Sequence, residues 1–266
     1  MITTTQMKIG MTFPTHLAVF DTDTTGTDVE EARIVSAFAG IMDTATGEFT
    51  DRWTWLINPG VPIPDEAAAV HGISNERAQA EGMDPKEAIY QIMQRLNTFE
   101  RDSLAIVAMN AAFDFTILDR ELARHWPGLR PLMQPNDKGV VLTPVVLDPM
   151  VLDRAFDRFR KGGRKLVDLC KNYGVPVEEN AHDAEADCKM AGRVAVKLLH
   201  HHKLQSMSLA EVHAKTIPTH RDNSMNVVKF WKEGKGLPDA TPEERQAAIK
   251  DATARAGKWP MVPRSA

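Results

Sequence analysis

Leu17-Ala18-Val19-Phe20 is a short apolar run that stops at Asp21, the pattern of a buried strand. Ile34 to Met42 is a longer run, Asp43-Thr44-Ala45-Thr46-Gly47 reads as a turn, and Glu48 to Ile57 resumes with Phe49, Trp53 and Trp55. Three strands in succession predict an antiparallel meander, which Asn58-Pro59-Gly60 ends. Asp84-Pro85-Lys86-Glu87 then supplies an N-cap, a proline at the first helical position and an acid at the third. Ile89, Ile92, Met93, Leu96 and Phe99 follow at helical spacing.

Leu104 to Met109 predicts a fully apolar strand, Phe113 to Arg124 a helix with Ile117, Leu118 and Leu122 on one side, and Val145-Val146-Leu147 a further strand. Pro127, Pro131 and Pro135 mark a long loop between the last two. Ala184 to His202 carries Ala191, Val194, Ala195, Leu198 and Leu199, an amphipathic helix. Three strands followed by helix, strand, helix, strand and helices predict an α/β fold: a mixed sheet with helices packed on it.

The chain beyond residue 202 changes character. It holds 11 basic and 7 acidic residues, net +4, with five prolines and few large apolar residues. Ser208-x-x-Glu211 and Thr241-Pro242-x-Glu244 read as two short capped helices. The expected organisation is an N-terminal segment 1–16, a domain 17–202, and an extension 203–266 wrapped on it or partly mobile; 266 residues suit one core plus an appendage.

A hydrophobic share of 43% and a charged share of 26% exclude wholesale disorder. A net charge of -4 means that any contact with nucleic acid must come from a local patch. Cys170 and Cys188 are too few for a disulfide framework and too far apart for a Cys/His zinc site. The longest apolar run, six residues, is far below the ~20 needed to span a bilayer. The first 16 residues do not read as a signal peptide, so a soluble cytoplasmic protein without membrane contact is expected. No G-x-x-x-x-G-K-[ST] loop, G-x-S-x-G elbow or CxxC pair is present.

Three acidic pieces carry the candidate chemistry. Asp21 and Asp23, two apart at the end of the first strand, project to one face, and paired carboxylates of this kind suit Mg²⁺ or Mn²⁺. The same residues also fit a solvated turn. Asp114 falls in the first turn of a helix beside Phe113, either needing a partner or simply favoured by the helix N-terminus. Asp187 shares a stripe with Ala191 and Val194 and faces inward, with His182 in the loop before it.

Taken together, this set resembles the DnaQ-like, DEDDh 3′–5′ exonuclease superfamily, which includes the epsilon proofreading subunit of bacterial DNA polymerase III. The first motif matches Phe20-Asp21-Thr22-Asp23-Thr24-Thr25-Gly26, and the second, Asn-x-x-Phe-Asp followed by Leu and an acid, matches Asn110 to Glu121. The third matches His182-Asp183-Ala184 with Asp187, and an epsilon-like His-Gly-Ile is met by His71-Gly72-Ile73. The resemblance covers Leu17 to Leu199. One position departs: the family usually has Glu where this chain has Asp23, one methylene shorter.

The resemblance implies a ribonuclease H-like fold and two Mg²⁺ (or Mn²⁺) ions held by Asp21, Asp23, Asp114 and Asp187, with His182 as general base. It implies that Thr24 and Thr25 hold the terminal nucleotide, that Asn110 helps to position the strand, and that nucleoside monophosphates are released from single-stranded DNA 3′ ends, with a DNA polymerase as partner in proofreading. Independently, Asp153 to Lys165 carries a net +4 with Phe156, Phe159 and Gly162-Gly163 interleaved. Arg160, Lys161, Arg164 and Lys165 therefore read as a phosphate-tracking loop or as a solvated basic face. RNA as the substrate, and a non-catalytic nucleic-acid or polymerase-binding module, remain alternatives; the Asp23 departure supports the second.

Overall fold

The computed structural model describes residues 13–127, 144–178, 183–235, 241–255 and 258–261. Five strands form one sheet: β1 (His16–Thr24), β2 (Ile34–Asp43), β3 (Phe49–Leu56), β4 (Ile106–Val107) and β5 (Val146–Leu147), in the order β3-β2-β1-β4-β5. β1, β2 and β3 pair antiparallel, while β4 and β5 run parallel to β1. The helices are α1 (Asp65–His71), α2 (Asn75–Glu81), α3 (Pro85–Arg101), α4 (Ala111–His125), α5 (Pro149–Phe156), α6 (Leu166–Tyr173), α7 (Ala184–His201), α8 (Leu209–Lys232) and α9 (Pro242–Arg255).

The expected mixed sheet flanked by helices is present. Its centre is β1, whose residues alternate between two cores. Ala18 and Phe20 pack with the α3–α4 side and Leu17 and Val19 with the α7 side. Burial on both faces is why the run shows no polar alternation. The β2–β3 turn closes through Asp43, whose Oδ1 accepts from the N–H groups of Ala45 and Thr46 at 2.9 and 2.8 Å. α7 lies close on the sheet because position 192 is glycine: a Cβ there would stand 2.7 Å from the Met42 side chain and 3.2 Å from Val19. That approach sets the N-terminal end of α7 against β1.

Four expectations change. β1 runs past Asp21-Thr22-Asp23, the expected end of the strand, to Thr24, because β2 pairs with it as far as Thr24 opposite Ile34, beyond a register shift after Asp23. The Leu104 to Met109 run forms only a two-residue ladder, Ile106–Val107. α1, α2, α5 and α6 are additional short helices between the predicted elements, each only seven or eight residues and so too short to show a helical period. The helix after Ser208 is 24 residues long, not short, and runs through Pro218. Its capping box is as expected, Ser208 and Glu211 bonding each other's backbone N–H. Packing overrides the proline: Val212 joins the α7-side core, and the His213 ring nitrogen Nδ1 sits 2.8 Å from the Val146 carbonyl on the outer edge of β5. Pro131 and Pro135 of the expected loop lie outside the described residues. Among those residues no helix is long and apolar enough to cross a membrane.

Candidate active site

β1 carries Asp21 and Asp23 on the parity of Leu17 and Val19, hence toward α7, and Thr22 on the parity of Ala18 and Phe20, toward α4. Asp114, in the first turn of α4, is 2% exposed. It is held by Thr22, whose backbone N–H and hydroxyl both donate to its Oδ1, at 3.1 and 2.7 Å. Asp187 enters from the first turn of α7, one turn after the N-cap Asp183. Acids from β1, α4 and α7 thus meet at the end of the central strand.

Their charges interact. Burial pushes the Asp21 carboxyl well above the usual range, and the charges of Asp114, Asp23 and Asp187 push it further. Burial raises Asp114 to about 8 despite the Thr22 hydrogen bonds, with Asp148 adding repulsion. The buried Cys188 thiol is raised first by burial and then by Asp21, Asp114, Asp187 and Asp23, which makes it an inert neutral filler. Asp21 with the three carboxylates that disfavour its ionised form makes a hard-oxygen donor set whose repulsion a divalent cation relieves. The donor chemistry fits such an ion. Among the described residues, no three His, Cys, Asp or Glu side chains are gathered closely enough to hold a metal. Two of the acids are drawn to hydroxyls instead: Asp114 to Thr22 and Asp23 to Ser36, whose Oγ donates to Oδ2 at 2.5 Å.

Three supporting residues were not read from the sequence. Ser36 anchors the shorter acid at position 23, and Thr22 anchors Asp114. Asp148 caps α5, accepting from the Met150 N–H at 2.8 Å and, through its other oxygen, from the Ala111 N–H at 3.1 Å. It thereby ties the start of α4 to the start of α5. Burial raises Asp148 to about 6 against those backbone hydrogen bonds. Only Asp148 left a local signal, an Asp-Pro cap directly after an apolar strand.

The remaining sequence-derived positions divide. The Thr24 hydroxyl donates to the Gly26 carbonyl at 2.7 Å, and the Thr25 hydroxyl accepts from the Arg33 N–H at 2.9 Å, so both side chains shape the turn after β1. Asn110 caps α4 in the left-handed region, φ 59°, and lines a cavity of about 300 Å³. Ile73 of the His-Gly-Ile turn packs with Val35, next in the chain to Ser36. His182 lies outside the described residues. Arg160 and Arg164 turn inward to Asp153, which is 0% exposed: Arg160 reaches it at 2.9 and 3.1 Å, Arg164 at 2.5 Å, and the Tyr173 hydroxyl at 2.6 Å. Lys161 and Lys165 of the same loop stay exposed.

A family model described as Exonuclease (RNase_T) matches residues 18–195. A DNA polymerase III subunit epsilon-like protein of Rhodobacter capsulatus is 30% identical over 186 residues, 68% of this chain but only 23% of its own length. The DNA polymerase III subunit epsilon of Rickettsia conorii is 29% identical over 184 residues, 68% of this chain and 72% of that protein. In fold, the chain is similar to Escherichia coli Exonuclease I solved in complex with a dT13 oligonucleotide, with a TM-score of 0.54 at 18% identity over 72% of this chain and 42% of that one. The matched span 18–195 begins inside β1 and ends within α7, enclosing Asp21, Asp23, Asp114 and Asp187, and the chain belongs to the exonuclease family.

Proposed function

We propose that this chain is a metal-dependent 3′–5′ exonuclease that releases nucleoside monophosphates from single-stranded DNA ends, and that it proofreads for a DNA polymerase. The observation that carries this reading is the meeting of acids from β1, α4 and α7 around Asp21, each raising the cost of ionising it. Asp21, Asp23, Asp114 and Asp187 would hold two Mg²⁺ or Mn²⁺ ions. Bound there, such a pair supplies a nucleophilic water at neutral pH and neutralises charge at the leaving 3′ oxygen. Thr22 and Ser36 hold two of the four carboxylates in place before any ion arrives. His182, five residues before Asp187, takes the proton of the attacking water, a task suited to an imidazole near pH 7. The turn at Thr24 and Thr25 and the start of α4 at Asn110 flank the terminal nucleotide. The polymerase partner is supported by the names of the epsilon relatives.

The test is incubation of the purified protein with end-labelled single-stranded DNA and RNA in Mg²⁺, Mn²⁺ or chelator. Mononucleotides should appear from the 3′ end of DNA with either metal and not with chelator. Mn²⁺ should give the faster rate, because Mg²⁺ tolerates imperfect placement poorly and Asp23 is a short acid anchored to Ser36. Faster release from RNA would move the substrate, and binding without release would favour the non-catalytic module.

His182→Ala should lower turnover by about 10²–10⁴-fold, the usual worth of a positioned general base. Near-normal single-turnover rates for that variant would remove His182 from the chemistry.

A further inference from the structure

The seam between α5 and α8 holds a second cavity, about 350 Å³, bordered by Arg154, Arg158 and Arg164 on one side and by Asp222, Asn223 and Asn226 on the other. Asn223 also lines the about 300 Å³ cavity that reaches Asn110 and Phe113 at the start of α4, so the two cavities share a wall residue. Arg154 Nε is enclosed there without a hydrogen-bond partner. Burial first, and the neighbouring Arg164 second, hold the Arg154 guanidinium below its usual range, against the partial relief of Asp153 and Asp148. Arg164 is fixed in the wall by Asp153 and by the Asp157 carbonyl, at 2.5 and 3.0 Å. Two guanidinium groups held close together on the wall of a polar cavity, one of them with a buried N–H that has no partner, form a place for an anion. Phe159, next in the chain to the exposed Arg158, is 91% exposed, an aromatic face with nothing packed on it.

We propose that the α5–α8 cleft holds the phosphodiester backbone of the single strand upstream of the end being cut, with Phe159 as a platform for one of its bases. The inference rests on the nuclease reading above and adds to it a path for the strand: from Asn110, past Asn223, to the arginines. Two cavities that share the wall residue Asn223 suit a polymer, which can reach both, better than a free anion. Asp222 in the wall opposes the anion and sets an upper bound on how tightly a strand is held. α8 belongs to the part of the chain beyond the matched residues 18–195, so this wall is a feature that the family's common span does not include.

The experiment measures binding of labelled dT12 and U12 in chelator, across a series of salt concentrations, with nucleotide release by the same preparations followed in Mg²⁺ and Mn²⁺. Arg154→Gln with Arg158→Gln should weaken binding about tenfold and flatten the log–log salt slope by about 1.4, ~0.7 for each lost phosphate contact. Phe159→Ala should weaken binding by about tenfold with no change of slope, as expected for a lost stacking contact. Arg158→Gln alone, at an exposed position, and Asp222→Asn, which should tighten binding, separate the cleft from any general loss of folding. Equal effects on dT12 and U12 identify the backbone as what is held; loss of U12 alone would overturn the phosphate assignment. If the unaltered protein binds and cuts while Arg158→Gln and Asp222→Asn leave affinity and slope unchanged, the cleft is overturned and the nuclease stands. If the unaltered protein neither binds nor cuts, both fall.

Discussion

Asp21→Asn and Asp187→Asn should each reduce nucleotide release by at least about 10³-fold while leaving the fold and strand binding intact, since each removes a carboxylate from the proposed ion cluster and with it several kcal/mol of charge stabilisation. Steady-state release of labelled mononucleotide measures the first effect, and circular dichroism with dT12 binding in chelator measures the second. Without divalent metal the same variants should melt at a higher temperature than the unaltered protein. The reason is the direction of the carboxyl shifts: Asp21 is raised well above the usual range and Asp114 to about 8. A carboxyl raised in the folded state binds its proton more tightly there than in the unfolded chain. Its contribution is fully present below the unfolded value of about 4 and is lost as pH rises through the folded value. The metal-free protein should therefore lose stability between about pH 4 and 8, and added Mg²⁺ or Mn²⁺ should restore it at the upper end. Full activity in a folded Asp21→Asn or Asp187→Asn protein would remove that acid from the site.

Asp153→Ala should destabilise the protein by about 3–5 kcal/mol, the usual loss when one member of a buried ion pair is removed and its partners stay behind. The carboxylate is 0% exposed, and Arg160 and Arg164 beside it have side chains only 11% and 14% exposed. Their guanidinium groups would lose their main acceptor, and the Tyr173 hydroxyl with them. Denaturant midpoints at fixed m-value measure the loss. Tyr173→Phe, which removes one hydrogen bond from the same carboxylate, should cost about 1 kcal/mol. The pH dependence has the opposite sign to that of Asp21. Burial pushes the Asp153 carboxyl up, but Arg160, Tyr173 and Arg164 outweigh it and hold it below the usual range. Its stabilisation is present above the unfolded value of about 4 and is lost as pH falls below that toward the folded value. A shallow acid limb that disappears in Asp153→Asn would show this; an unchanged limb would mean that the pair contributes little.

Periodicity in the chain alone determined much of this protein. An apolar run too short for a helix and too continuous for a half-exposed strand marked β1 as buried, and the two-residue alternation put Asp21 and Asp23 on one face. The Asn-Ala-Ala-Phe-Asp spacing placed Asp114 in the first turn of a helix, and the 3.6-residue stripe turned Asp187 inward. These are local properties, set by backbone geometry over fewer than ten residues. What only the tertiary structure decided is what each polar group faces. The bonds of Thr22 to Asp114 span 92 residues and that of Ser36 to Asp23 spans 13, and nothing in the composition of either segment selects the partner. The two-residue ladders of β4 and β5 likewise depend on distant partners, Ala18 and Val19 for β4 and Ile106 and Val107 for β5. Arg160 and Arg164 show the limit most directly. A basic, glycine-broken loop has the same composition whether its guanidinium groups meet phosphate or a buried carboxylate. Here both bond Asp153, on the inner face of α5, because a desolvated carboxylate without a partner is costly.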